Sequence, residues 1–317
     1  MRIKRIHIVR SIIFVVVAIV VGEIFTRYYL GLGTPPISIT HSKIEYMYKP
    51  NQDVYRFGNH FVVNQYGMRT IPFSAEKSGN EYRIMVFGDS VLNGGNLTDH
   101  SELATAKLRK DLSETLKQNI VVGNISAGSW GPGNWLAYAK EYGFFEANIV
   151  VLVISSHDYA DTPSFQALNK YTHPTEKPLS ALIEGITRYL PRYLPQLSTG
   201  EVSDEPDRFE EKINEQNALK ALDDLRNFLE LAKNNVKTTI LVLQHWEKAE
   251  IKKGLSDHGN QRIKEVCESL GIMCVSLEPY FRESMENGDN PYRDNIHPNQ
   301  VGQQLIANAI LENMPNK

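Results

Sequence analysis

The sequence predicts an α/β fold: a doubly wound five-stranded parallel sheet, preceded by one N-terminal transmembrane helix and a small β-rich lead-in. Three observations predict it. Short apolar runs of strand length alternate with longer stretches of helical period, the pattern of successive βαβ units. The strand-like runs end in Gly, Ser, Asn and Asp, which turn a chain off the end of a strand. The stretches between them are long enough for crossovers, and these are right-handed, so the strand ends point the same way.

Strands are expected at residues 82–87, 120–124, 149–154, 238–243 and 272–276, and helices at 101–116, 134–145, 209–234, 257–270 and 300–313. The helix at 209–234 is the plainest, because Leu219, Leu222, Leu225, Phe228, Leu229 and Ala232 keep one face. The chain divides into an anchor at 1–30, the lead-in at 31–80 and a main domain at 81–317. Within the main domain, residues 159–207 break the pattern with Pro163, Pro174, Pro178, Pro191, Pro195 and Pro206. An unpatterned loop of this length is an insertion that covers a site or a tethering segment.

Residues 8–21 are apolar apart from Arg10 and Ser11, and the apolar length from 11 to 25 is short for a span of about 20 residues, which tilting or snorkelling flanks make up. A cleaved signal peptide is the competing reading. Glu23 to Arg27 follow the apolar core directly, without a small-x-small cleavage pattern, which favours an uncleaved anchor. Arg2, Lys4, Arg5 and Arg10 outnumber Arg27 on the far side. The amino terminus is therefore expected in the cytoplasm, with the main domain periplasmic or extracellular.

The net charge of the 317 residues is −3, with no basic stripe beyond the anchor, so nucleic acid is not an expected partner. Cys267 and Cys274 are the only cysteines. They read as two buried apolar side chains or as a pair in an oxidising compartment, with no ligand cluster for zinc.

Chemistry concentrates at the strand ends. Gly88-Asp89-Ser90 closes the first strand, where open α/β sheets place their ligands. A serine at a strand-to-helix turn has an exposed hydroxyl and backbone N–H groups for a developing oxyanion, although the tripeptide alone also reads as a plain turn. Asp294 and His297 lie one turn apart, so the carboxylate reaches Nδ1 while Nε2 faces away toward a nucleophile. Pro298 restricts His297, and Asn299 caps the last helix. The small residues from Ser126 to Gly131 bring backbone N–H groups close to a substrate oxygen. His157, in Ser155-Ser156-His157-Asp158, supplies a side-chain donor. His245 and Trp246 end the fourth strand and read either as rim residues that bind substrate or as edge packing.

Taken in order, Gly88-Asp89-Ser90, the Ser126 to Gly131 stretch, Ser155-Ser156-His157-Asp158 and Asp294-x-x-His297-Pro298 resemble the SGNH (GDSL-type) hydrolase superfamily over residues 82–310. The lead-in, from Pro50-Asn51 through Asn64-Gln65-Tyr66-Gly67-Met68-Arg69, is similar to the segment before the nucleophile block in membrane-anchored members linked to bacterial surface polysaccharide. The resemblance implies a flavodoxin-like sheet and a serine esterase with no metal or organic cofactor. Ser90 is then the nucleophile, His297 the general base and acid, and Asp294 its orienting carboxylate. The oxyanion hole is implied at the Ser90 N–H, at Gly128 or Ser129, and at His157. The chain departs from the family in two places: the second-block glycine is shared between Gly128 and Ser129, and His157 stands where the family has asparagine. The implied substrate is an ester such as an O-acetyl group on a polysaccharide. A polysaccharide O-acetyltransferase using the same triad, and an idle carbohydrate-binding or assembly component, are the alternatives.

Overall fold

The computed structural model describes residues 2–190, 214–236 and 239–315. The start of the expected helix at 209–213, residue 238 of the expected fourth strand and the insertion from 191 to 207 lie outside the described residues.

Helix α1 (Arg2–Tyr28) contains the candidate span Ile6–Tyr28, whose most apolar 18 residues have a mean hydropathy of 2.5 and are not buried against the rest of the chain, while Thr26 near its end is buried. Among the described residues it is the one helix long and apolar enough to cross a membrane. The lead-in folds as two antiparallel hairpins, β1 (Ser38–His41) with β2 (Glu45–Tyr48) and β3 (Gln52–Arg56) with β4 (Asn59–Val63). It is welded to the main domain. The Arg69 N–H donates to the Asn124 carbonyl at 3.0 Å, the Thr70 hydroxyl donates to the Val122 carbonyl at 2.9 Å, and the buried Arg69 guanidinium lies 3.6 Å from the Phe61 ring centre.

The main domain runs β5 (Glu81–Gly88), α2 (Ser90–Asn93), α3 (Ala104–Leu116), β6 (Asn119–Ser126), α4 (Pro132–Tyr142), β7 (Ile149–Ser155), α5 (Ala181–Glu184), α6 (Glu215–Asn235) and β8 (Thr239–His245). It closes with α7 (Lys248–Lys253), α8 (His258–Leu270), β9 (Met273–Ser276), α9 (Glu278–Glu286) and α10 (Gln300–Asn313). The sheet order is β6-β5-β7-β8-β9, with every pair parallel. This is the doubly wound, flavodoxin-like arrangement expected from the sequence. The connections from β5 leave toward opposite edges, so the crevice beyond its carboxyl end, at the switch between β5 and β7, is the natural ligand position.

Strand periodicity divides the core in two. Along β5, Met85 and Phe87 join Trp135, Leu225 and Phe228 on one face, while Ile84 and Val86 join Leu108, Leu112, Ile306 and Ile310 on the other. All four β5 side chains are fully buried, and each such burial contributes about 1.5–3 kcal/mol. The short helices α5, α7 and α9 were not expected. Their apolar faces are narrow, and in α9 only Phe281 is buried, so the 3.6-residue period is barely visible in the sequence.

The described part of the insertion, residues 159–190, is held by the lead-in and by α1. Over its described part the Ser164 hydroxyl and N–H donate to Glu45, the Pro174 carbonyl accepts from the Ser38 N–H, and residues 180–182 donate to Glu23. These bonds tie its described part to the lead-in and α1.

Candidate active site

Ser90 is set by its neighbours. A side chain at Gly88 would meet the Leu92 Cβ at 2.8 Å and the Val153 carbonyl at 3.2 Å, so only glycine lets β5 turn this tightly. The Trp135 indole N–H holds the Gly88 carbonyl at 2.9 Å. Asp89 caps α2 by accepting from the Val91 N–H at 2.8 Å, which places Ser90 at the first position of the helix. Gly94, at φ 72°, ends that single turn.

The turn carrying His297 is braced from three sides. The Arg293 N–H donates to the His297 carbonyl at 2.8 Å and the Asn299 N–H to the Pro291 carbonyl at 3.0 Å, closing the turn on itself. The Lys248 N–H donates to the Asn295 carbonyl at 2.8 Å, and the Arg293 guanidinium reaches the Gly94 carbonyl at 3.2 Å. His245 Nε2 donates to the Ile296 carbonyl at 2.8 Å.

With both elements held, Ser90, His297 and Asp294 meet across 207 residues of sequence. The Ser90 hydroxyl donates to His297 Nε2 at 3.0 Å. His297 Nδ1 donates to Asp294, at 2.8 Å from Oδ2 and 3.0 Å from Oδ1. Asp294 Oδ1 also accepts the N–H groups of Ile296 and His297, at 2.9 and 2.7 Å. Partial burial works against its charge, but the His297 ring and the two backbone donors outweigh it and hold the carboxyl far below its usual range.

Beside the serine runs the loop after β6. Ser129 sits in the left-handed region at φ 59°. Among the described residues, the amides of Gly128 and Ser129 have no hydrogen-bond acceptor. The lead-in builds this loop: the Tyr46 hydroxyl donates to the Gly128 carbonyl, the Trp130 indole donates to the Tyr46 carbonyl at 3.0 Å, and the Asn134 amide donates to the Ile44 carbonyl at 2.7 Å. Asn93 adds a second brace. Its amide donates to the Ser126 carbonyl at 2.9 Å while its oxygen accepts from the Tyr48 hydroxyl at 3.2 Å. Tyr46 and Tyr48 carry no catalytic signature in sequence. Asn93, three residues after Ser90 and hence on the same side of a helical turn, offered a usable one.

His157 lies among carboxylates. Its Nε2 lies 3.8 Å from Asp89 and 3.6 Å from Asp158, and its Nδ1 lies 3.6 Å from Glu247. Burial alone would lower its pKa, but Asp158, Glu247, Asp89 and Asp161 together push it up to about 10. Asp158 is pushed well above the usual carboxylate range by burial and by Asp89. Asp89, His157 and Asp158 each bring one potential metal-ligand atom within 4.8 Å. Asp89 accepts from the Val91 N–H and the Ser155 hydroxyl, and Asp158 from the Ser155 N–H.

His245 takes the packing alternative. It is fully buried, with its ring against Phe281 and Tyr292, and burial lowers its pKa to about 4. It supports the His297 turn from behind and does not reach the substrate rim. Trp246 is half-buried and packs on the core face that holds Phe281 and Tyr292, the edge-packing alternative, and its carbonyl accepts from the Tyr292 hydroxyl at 2.5 Å. Cys267 is buried and Cys274 half-buried, both as free thiols.

Fold and site together define the class: a doubly wound α/β protein with a Ser–His–Asp hydrogen-bond chain at the carboxyl edge of its sheet. No protein-family profile matches the chain, and no curated protein matches it in sequence. Solved structures do. An acetylxylan esterase from Geobacillus stearothermophilus is 15% identical with a TM-score of 0.46, over 73% of this chain and 93% of that one. An alpha/beta hydrolase enzyme from the metagenome of Lake Arreo, Spain, is 18% identical with a TM-score of 0.44, over 73% and 94%. A member of the lipolytic protein G-D-S-L family from Veillonella parvula is 13% identical with a TM-score of 0.43, over 73% and 97%. The fold assignment rests on the strand order of this chain itself.

Proposed function

We propose that this protein is a membrane-anchored serine esterase of the SGNH type, acting through an acyl-enzyme on an O-acylated carbohydrate. The observation that carries the reading is the unbroken chain from the Ser90 hydroxyl to His297 Nε2 at 3.0 Å and from Nδ1 to Asp294 at 2.8 Å.

In this reading the Ser90 Oγ attacks the ester carbonyl carbon and its proton passes to His297 Nε2. Asp294 stabilises the resulting imidazolium through Nδ1–H and remains ionised. The carbonyl oxygen becomes an oxyanion held by the Ser90 N–H and by the N–H of Gly128 or Ser129, with a ring N–H of His157 as a third donor. Collapse breaks the bond to the alcohol oxygen, which takes the proton from His297. Water then repeats the sequence on the acyl-enzyme, releasing the acid and restoring Ser90. Every group is supplied by the chain. The resemblance of the lead-in supports an acetylated polysaccharide as substrate, and the excess of Arg2, Lys4, Arg5 and Arg10 over Arg27 supports a main domain outside the cytoplasm.

The test is hydrolysis of p-nitrophenyl acetate by the full-length protein in detergent. Ser90→Ala abolishes turnover above background. His157→Ala loses about 10² to 10³ in kcat, and His157→Asn, which keeps an N–H donor, loses less. Parent activity in Ser90→Ala refutes the proposal. Acetate release from acetylated polymers, with and without an acceptor glycan, then distinguishes transfer to water from transfer to a sugar hydroxyl.

A further inference from the structure

The described part of the insertion ends in α5 and the helical turn that follows it, residues 185–189, and this segment is locked onto the end of α1. Glu23 of α1 accepts from the Ser180 hydroxyl at 2.8 Å, the Ala181 N–H at 3.1 Å and the Leu182 N–H at 2.9 Å, and pairs with Arg27 at 2.6 Å. Leu182 packs on Gly22. From the other side, the buried Glu184 pairs with the buried Arg56 at 2.7 Å and accepts from the Gly33 N–H at 2.6 Å, while Arg56 also reaches the Tyr189 hydroxyl at 2.8 Å. The polar face of the segment is thus consumed by α1 and the lead-in.

Its other face is apolar, and none of the described residues covers it. Leu179, Ile183, Ile186 and Leu190 are all exposed, and their spacing of four, three and four residues makes one helical stripe. Tyr28 and Tyr29 are exposed at the adjoining end of α1. Four aligned large apolar side chains form a patch, not scattered exposure.

The span fixes what meets that patch. At about 1.5 Å per residue, the stretch from Ile6 to Phe25, an apolar run from 12 to 22 with Arg10 as a snorkelling flank on its inner side and Glu23 at its outer end, covers about 30 Å, the thickness of a bilayer's hydrocarbon core. Gly22, Glu23 and Thr26 then lie at its outer edge, and the segment packed beside them shares their depth. Tyrosines at that level match the aromatic belt of an interface. A carboxylate at the hydrocarbon edge demands partners, and the helix start at 180–182 supplies them.

We infer that residues 179–190 form an interfacial foot: the Leu179, Ile183, Ile186 and Leu190 stripe inserts into the outer leaflet of the bilayer that α1 crosses. The inference rests on the anchor reading. The foot and α1 give the catalytic domain two linked contacts with the membrane, and the Arg56–Glu184 pair transmits the fixed orientation to the lead-in that braces the Gly128 loop. The substrate is accordingly one presented close to the membrane surface.

The experiment uses the full chain in vesicles of phosphatidylcholine and phosphatidylglycerol, with Cys267 and Cys274 replaced by alanine. An environment-sensitive fluorophore is placed in turn at Ile186→Cys, Ile183→Cys, Val16→Cys in α1, and Lys110→Cys on the far surface. The expected result is loss of the Ile183 and Ile186 signals to a lipid-borne nitroxide with protection from aqueous iodide, as at Val16, and the reverse at Lys110. Iodide quenching at Ile183 and Ile186, with Val16 in lipid, overturns the foot and leaves the anchor standing. Iodide quenching at Val16 overturns the anchor and the foot with it. Protection of Ile183 and Ile186 from both quenchers means a protein surface covers the stripe, which also overturns the foot.

Discussion

Replacing Asp294 by asparagine isolates the chemistry of the triad from its geometry. Asp294 Oδ1 accepts the N–H groups of Ile296 and His297, and the asparagine carbonyl takes over both bonds, so the turn is kept. The amide NH₂ then occupies the Oδ2 position, 2.8 Å from His297 Nδ1. A donor at that place forces Nδ1 to accept and moves the ring proton to Nε2. Nε2 then donates to the Ser90 hydroxyl and has no lone pair for its proton. The wrong tautomer costs about 10⁴ in kcat where the carboxylate is buried. The Asp294 side chain is 43% exposed, so water competes for the ring and the expected loss is about 10³ to 10⁴, equivalent to about 4–5.5 kcal/mol of transition-state stabilisation. Initial rates with p-nitrophenyl acetate, resolved into kcat and KM, are measured beside a thermal melt. The expected outcome is a fall in kcat with KM and melting temperature preserved. A folded Asp294→Asn protein that keeps the parent rate refutes the argument, as does a loss that tracks a collapse in melting temperature.

Two further outcomes follow from the neighbours of the triad. Tyr46→Phe removes the hydroxyl that holds the Gly128 carbonyl; one such bond is worth about 1 kcal/mol, so kcat falls about fivefold with KM unchanged, and an unaltered kcat removes the lead-in from the site. His245 has a folded pKa of about 4 against 6.5 ordinarily. The unfolded chain therefore binds more protons between these values, and the stabilisation, fully present above pH 6.5, is lost as pH falls toward 4. At about 1.4 kcal/mol per pH unit this amounts to about 3 kcal/mol. Melting temperatures from pH 4 to 7 fall less steeply in His245→Gln, and identical slopes in the two proteins remove His245 from that acid sensitivity.

Much of the frame was legible in the chain. Each main strand carries a run of three or more apolar residues stopped by turn chemistry, and the sheet buries both faces, so its strands carry a strong local signal. Ser90, Asp294 and His297 were legible for a related reason: each sits where an element must end, next to Gly88 or Pro298, and local geometry dictates the residue type. The short helices α5, α7 and α9 were not legible, because they bury too few side chains to imprint a period. The roles of His157 and His245 were not legible either. A histidine in a string of letters carries no charge state, and that state depends on Asp89, Asp158 and Glu247 arriving from three separate elements, or on Phe281 and Tyr292 excluding water.

The sequence by itself therefore determined the α/β alternation, the apolar N-terminal helix and the three residues of the Ser–His–Asp chain, because backbone sterics and hydrophobic period act over a few residues. Only the tertiary structure decided that Tyr46 of the lead-in orients the Gly128 loop, that Asp89 and Glu247 come to lie beside His157, and that the described part of the insertion grips Glu23 with its apolar stripe turned outward. Those features depend on contacts across tens to hundreds of residues, where desolvation and Coulomb energy are set by what packs together in space.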